Sequence, residues 1–300
     1  MKIFDCTTFY NENLMLEVRF NILNDFVDKF VISEAKYSHS GEKKKLNFDI
    51  NKFKQFKKKI IYLVIDNEPD SLIYKKNESG TMFENDNDKR TNSIKRIAHQ
   101  RNKLLSGLED ANDEDYIFYS DNDEIPNFQN FDIKKNTNKI IMFKQKLFYY
   151  KFNLLCDRAN WYGTKGCQKK YLKSFSWLRE IKTKKYPIYR LDTFFSEYKF
   201  MNVKIIDDGG WHFSQLMSPK DIQIKLTNSE DHFEYKLAGK QLSDIEDLVK
   251  RKVIIYDHKA KTADYKFSKE FELKTLSMEY MPLFLRKNLN KYNEWFDFEK

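Results

Sequence analysis

Asp121-Asn122-Asp123-Glu124-Ile125-Pro126 follows almost directly on an apolar run, Tyr116 to Tyr119. Two carboxylates at i and i+2 in a tight turn can face one hard cation and leave its other positions open. Mg²⁺ and Mn²⁺ take oxygen ligands and bridge such carboxylates to phosphate oxygens. The alternative is a plain acidic turn, since Asp and Asn favour turns by themselves. The place at the end of a strand, with Glu-Ile-Pro following, favours a functional role. A second segment is Gly209-Gly210-Trp211-His212-Phe213-Ser214. Paired glycines let backbone pass close to a ligand. Trp211 offers a stacking face, and His212 a neutral metal ligand or proton carrier. A satisfied core histidine accounts for the segment equally well. The third is Gln100-Arg101-Asn102. Arg101 lies in line with the apolar stripe of Ile94, Leu104 and Leu105. A guanidinium there either snorkels to the edge or points inward at an anion.

These groups need a scaffold, and the first 120 residues alternate strands with helices. Residues 2–5 read as a strand, followed by a polar turn over 7–13. Leu14, Met15, Val18, Ile22 and Phe26 recur at helical spacing. Residues 30–33 form a short strand ending at Glu34. Residues 60–65 are a continuous β-branched run, which predicts a strand buried on both faces. A helix over 92–108 and a strand over 116–119 follow. This alternation predicts an α/β fold with a mostly parallel sheet. Ligands in such sheets bind beyond the carboxyl ends of the strands, where the turn after Asp5, Glu34 and the acids after Tyr119 all fall. Residues 67–88 read as a polar loop and 139–152 as one more strand. Two weaker helices are expected over about 240–252 and 269–295. The expected organisation is one domain over 1–265 with a C-terminal helical tail over 266–300 packed on it.

Charge narrows the classes of partner. The chain of 300 residues carries 54 Lys and Arg against 45 Asp and Glu, net +9. Residues 36–59 hold nine Lys against Glu42 and Asp49, residues 142–190 hold thirteen bases against two acids, and 109–132 hold nine acids and no base. Acids collect metal, bases collect phosphate, and an excess of base suggests an anionic partner. Three cysteines are too few for a disulfide framework. No window is long and apolar enough to span a membrane, and no signal peptide precedes the first strand. The expected setting is cytoplasmic, with peripheral contact at an anionic membrane surface as a further expectation.

Several segments together resemble glycosyltransferase family 17, which includes the bisecting N-acetylglucosaminyltransferases. They are Asp5 to Glu12, Leu16-Glu17-Val18-Arg19, Phe30 to Ala35, Gln100-Arg101-Asn102, Asp121 to Pro126, and Gly210 to Ser214 with Lys225. The resemblance covers about residues 2–232, and the 282–295 stretch looks like the family's closing helix. It implies a GT-A-type, Rossmann-like nucleotide-sugar-binding fold, a UDP-sugar donor, Mn²⁺ or Mg²⁺, and inverting transfer to a glycan, glycolipid or glycoprotein acceptor. Asp121 and Asp123 match the family's metal–diphosphate motif, and His212 its Trp-His pair, a further metal or phosphate contact. Glu34 would hold the nucleoside, and Phe9 and Asn11 would line the base or ribose. Ser40, Gly41 and Lys44 match a Ser/Thr-Gly-x-x-Lys stretch. The family's Ser-His after the Lys225 segment is displaced here, with Glu230, Asp231 and His232 in its neighbourhood.

Such a transfer needs a carboxylate to take the acceptor's proton. Asp208 is the first candidate, and Glu124 and Glu230 are alternatives. Arg101 would add charge at the diphosphate. Three other readings compete. A nucleic-acid-binding module would use the net charge, but no recognised binding motif supports it. A phosphodiesterase using the Asp121/Asp123 pair would want more His and Asp ligands for two metals. The intact Asp pair and Trp-His argue against a catalytically silent sugar-binding homologue.

Overall fold

A computed structural model describes residues 1–79, 81–187, 189–228, 232–259, 267 and 269–298. The first half of the chain forms β1 (Ile3–Phe9), α1 (Asn13–Leu23), β2 (Lys29–Ala35), β3 (Ile60–Ile65), α2 (Asp86–Lys103), β4 (Tyr116–Tyr119), β5 (Glu124–Pro126), β6 (Ile140–Phe143) and β7 (Gln145–Tyr149). The second half adds β8 (Leu154–Trp161), β9 (Lys165–Gln168), α3 (Phe175–Glu180), β10 (Val203–Ile206), β11 (Gly210–Ser214), α4 (Pro219–Asn228), α5 (His232–Ala238) and α6 (Leu242–Arg251). After these come β12 (Val253–Ile254), β13 (Phe271–Glu272), β14 (Lys274–Thr275) and α7 (Leu283–Lys287).

The large sheet has seven strands in the order β10-β6-β9-β4-β1-β2-β3. Every neighbouring pair is parallel except those made by β9, which runs antiparallel to β4 and β6. This is a mixed α/β fold with a mostly parallel sheet. Strand side chains alternate between two cores, as a period of two requires. Phe30, Ile32, Tyr116 and Phe118 enter one, with α1 and the C-terminal segment. Val31, Ile117 and Tyr119 enter the other, with Leu104, Leu108 and α3. Burying an aromatic or aliphatic side chain this fully contributes about 1.5–3 kcal/mol. A second sheet, β14-β8-β7-β11-β5, packs beside the first and carries the far wall of the site.

Several expectations change here. β1 runs to Phe9, so Thr7 and Thr8 belong to the strand and not to a turn. β3 is an edge strand and mostly half-buried, so its β-branched run is not a sign of burial on both faces. The 139–152 stretch breaks at Lys144 into β6 and β7, which lie in different sheets. Residues 67–88 include a short ribbon of Lys75–Lys76 with Met82–Phe83, and α2 begins at Asp86. The helix expected over 269–295 is instead two short strands, a short α7 and 3-10 turns. Its Met281, Leu285 and Tyr292, with Phe296 just after it, are buried in the main core. The expected boundary at 265/266 lies outside the described residues. Among those described, no helix is long and apolar enough to cross a membrane.

Candidate functional site

The site is built on the turn between β4 and β5. The Glu124 N–H donates to the Asp121 carbonyl at 3.0 Å, which closes the turn. Beneath it lies Arg19 of α1, wholly buried. Its Nε and Nη2 donate to the two carboxylate oxygens of Asp5 at 2.7 and 2.6 Å. Nη2 also donates to Ser120 Oγ at 2.6 Å, and Nη1 to the Glu124 carbonyl at 2.8 Å. The Asp121 and Asn122 carbonyls lie at 3.3 and 3.4 Å from Nη1. One guanidinium thus ties β1 and α1 to the backbone of the acidic turn. A lysine could not, because the planar fork of donors is what spans these acceptors.

Asp121 opens toward α2 and α3. Its Oδ1 accepts from Tyr119 OH at 2.8 Å and lies 3.5 Å from Arg101 Nη2, and its Oδ2 accepts from Arg179 Nη2 at 2.8 Å. Burial pushes this carboxyl up, but Arg179 and Arg101 outweigh it and hold it well below the usual carboxylate range. Arg179 also donates to both oxygens of Glu124, at 2.8 and 2.9 Å, and to the Gly163 carbonyl at 2.7 Å. Glu124 accepts further bonds from Trp161 Nε1 at 2.6 Å and from the Asp121 N–H at 2.8 Å. Lys165 is buried below, donating to the carbonyls of Arg179 and Ile181, and fixes the end of α3.

Asp123 faces the second sheet and α4. His212 Nε2 is 3.5 Å from its Oδ1, and Lys225 Nζ is 3.3 Å from its Oδ2 and 3.0 Å from Glu12. Burial again opposes ionisation, and Lys225 and His212 overcome it, so this carboxyl too is held well below its ordinary range. The imidazole of His212 packs on Trp161, with ring centroids 4.7 Å apart. Its Nδ1 is buried and has no hydrogen-bond partner among the described residues. Asp121 and Asp123 are therefore two ionised carboxylates ringed by Arg101, Arg179 and Lys225. That arrangement can hold a polyanion at its basic rim and a hard cation between acid and anion.

The other expected residues scatter. Phe9 is buried in the core, edge-on to Phe48, so its ring lines no open site. Asn11 lies in the turn after β1. The Glu34 carboxylate is saturated by Lys44 Nζ, the Asn47 and Phe48 N–H groups and Tyr62 OH. It braces the loop over β2 and has no oxygen left unpaired for a nucleoside. Trp211 points to the opposite face of β11 from His212 and donates to the Tyr280 carbonyl at 2.8 Å, so Trp161 supplies the stacking surface. A Cβ on Gly209 or Gly210 would meet this chain's own backbone, at Lys144 and Ile125, so the glycine pair serves strand packing. Asp208 is exposed, paired with Lys146, and in the turn that precedes β11, beyond the end where Gly210 pairs with Pro126 and away from His212 and Asp123. Glu230 lies outside the described residues.

Three residues escaped the sequence reading. Arg179 sits among Phe175, Trp177 and Leu178, and an arginine inside so aromatic a short helix was the available signal. Trp161 ends a long strand of mixed polarity, with nothing to mark it. His39 follows β2. Gln100 donates its amide to the Phe9 and Ser33 carbonyls, so its Oε1 faces His39 Nε2 at 3.2 Å and that nitrogen carries the proton. Burial, aided by the charge of Arg101, lowers this imidazole to about 4. His39 is thus a neutral ring of fixed tautomer beside Arg101 and Asp121.

The family model of glycosyltransferase family 17 matches residues 1–168, more than half of the chain, and the chain belongs to that family. The matched part contains Asp5, Arg19, Arg101, Asp121, Asp123, Glu124 and Trp161, and Arg179, His212 and Lys225 lie beyond it. No curated protein matches the chain. Among solved structures, the inositol-1-phosphate CTP transferase from T. maritima is similar at 14% identity and a TM-score of 0.32, over 74% of this chain and 93% of that one. A likeness so loose carries no argument.

Proposed function

We propose that this glycosyltransferase moves N-acetylglucosamine from UDP-N-acetylglucosamine to a glycan hydroxyl, with a divalent cation and with inversion, on a GT-A-type fold. The observation that carries the reading is the pair Asp121 and Asp123 at the carboxyl end of β4, inside a ring of Arg101, Arg179 and Lys225. The donor sugar and the inversion rest on the family resemblance. Among the described residues no three acid, imidazole or thiol groups converge as a metal cage. Two hard carboxylates still fit Mn²⁺ or Mg²⁺, because Mg²⁺ binds through one or two carboxylates with phosphate and water completing its shell. Asp121 and Asp123 would hold the ion, which would offset the leaving diphosphate's charge. Arg101, Arg179 and Lys225 orient and neutralise the same phosphates.

The proton of the acceptor hydroxyl needs a base. Glu124 has both oxygens engaged, and Asp208 lies in the turn before β11, paired with Lys146. Glu230, just beyond α4 in sequence, is the carboxylate we propose. Calorimetry of UDP and UDP-N-acetylglucosamine with and without Mn²⁺, followed by a transfer assay and proton NMR of the product, tests the reading. Metal-dependent binding and a β-linked product from the α-linked donor are expected. Binding unaffected by chelator, or a retained α-anomer, would overturn the metal or the single displacement respectively.

A further inference from the structure

The four most exposed large apolar side chains among the described residues are Tyr189, Leu191, Phe194 and Phe195, at 77, 69, 66 and 90% exposure. They fall in one excursion between α3 and β10. The excursion is pinned at its root, where the Lys182 N–H donates to the Tyr198 carbonyl at 2.8 Å and Trp177 Nε1 to the Glu197 carbonyl at 2.8 Å. Beside it opens a cleft of about 490 Å³ walled by Trp177, Phe194 and Phe200 and edged by Lys139, Lys173 and Lys199. Residues 182–199 hold five bases and two acids, net +3. Both acids are already paired, Asp192 with Arg190 and Lys199, and Glu197 with Lys173. Lys182, Lys184 and Lys185 are exposed and have no acidic partner among the described residues.

Aromatic and aliphatic side chains held in water are costly unless something covers them, and a cluster of them marks a contact surface. The charge around this cluster selects the partner. Rings that enter the headgroup–acyl boundary, with lysines snorkelling to lipid phosphates, are the pattern of an interfacial anchor. We propose that the 189–195 tip docks this protein on an anionic membrane surface. Its root is α3, whose Arg179 grips Asp121 and Glu124, so docking brings the active site to the bilayer. Under the transferase reading above, on which this last step rests, the acceptor is a glycan carried on lipid.

The test is co-sedimentation of the full chain with vesicles of phosphatidylcholine alone or mixed equally with phosphatidylglycerol. Binding to the anionic vesicles only, weakening with salt, is expected. Phe194→Ser/Phe195→Ser and Lys184→Glu/Lys185→Glu should each cut it about tenfold or more. The melting temperature and UDP affinity should not change, because these side chains are exposed and touch no site residue. No binding to anionic vesicles, or binding that survives both variants, overturns the proposal. So does a dimer that Phe194→Ser/Phe195→Ser dissociates while vesicles are ignored, which would make the tip a contact between copies. Vesicle binding and nucleotide binding are read separately, so failure of one leaves the other standing.

Discussion

Arg19 and Asp5 form a two-pronged ion pair, 2.6 and 2.7 Å long, with neither side chain reaching solvent. The remaining donors of Arg19 carry the backbone of the Asp121–Glu124 turn, so this pair sets where both carboxylates stand. Removing one member of a buried pair leaves the other charge uncompensated, at a cost of about 3–5 kcal/mol. Arg19→Lys and Asp5→Asn should each lower unfolding stability by about that much in urea titrations. A loss below about 1 kcal/mol would mean the turn holds its shape without them.

Asp121→Asn and Asp123→Asn should abolish metal-dependent UDP binding and transfer while far-UV circular dichroism stays native. Asp121 is partly exposed, Asp123 is buried, and the cations that pair with them, Arg101, Arg179 and Lys225, keep some access to solvent and can re-pair with water or anion, unlike Arg19. Calorimetric titration with UDP and Mn²⁺ is the measurement, and wild-type affinity in either variant would remove that residue from the binding site.

Glu124 and Asp208 should behave in opposite ways. Glu124→Gln places an amide against Arg179 inside the fold and should cost about 3 kcal/mol or more. Asp208→Asn breaks only an exposed pair with Lys146, worth at most about 1 kcal/mol. It should leave turnover nearly unchanged, so a large loss of turnover at normal stability would return Asp208 to the list of bases.

His39 gives a pH signature. Its ring should titrate near 4 by proton NMR, against 6.5 in the unfolded chain. As pH falls from about 6.5 to 4 the unfolded chain takes up this proton and the native protein does not. Stability contributed by the neutral ring is therefore present above that window and declines through it. His39→Gln should flatten the slope there, and a native midpoint near 6.5 would contradict the burial.

The Asp pair was legible because acids crowded after a short apolar strand have few structural reasons to be there. The parallel sheet was legible because strands and helices alternate at regular spacing. Of the partners, Arg101 and His212 were legible, and the others were not. Arg19 lies 102 residues from the turn that it holds, and nothing local distinguishes it from an amphipathic helix's charged edge. Trp211 sits beside His212 in sequence, but a strand sends neighbours to opposite faces, and Trp161 takes the place beside the imidazole. The run 139–152 reads as one strand because its apolar character continues through Lys144, where the chain passes from one sheet to the other. Glu34 ends a strand as a ligand-binding acid would, yet its oxygens are taken by loop N–H groups that only the folded chain brings near.

The cations of the site also enter the chain at different times. Arg19 and Arg101 are already made when Asp121 leaves the ribosome, but Arg179 comes 58 residues later and Lys225 follows Asp123 by 102. At about 5–20 residues per second these gaps last about 3–12 s and 5–20 s. Through that interval the nascent acidic turn carries its charge half-balanced, with Glu124 lacking the guanidinium that later grips it. The early half of the sheet therefore waits on the late half for its electrostatic closure, and a ribosome stalled in between leaves β1 to β4 made and their acidic turn without its later cations.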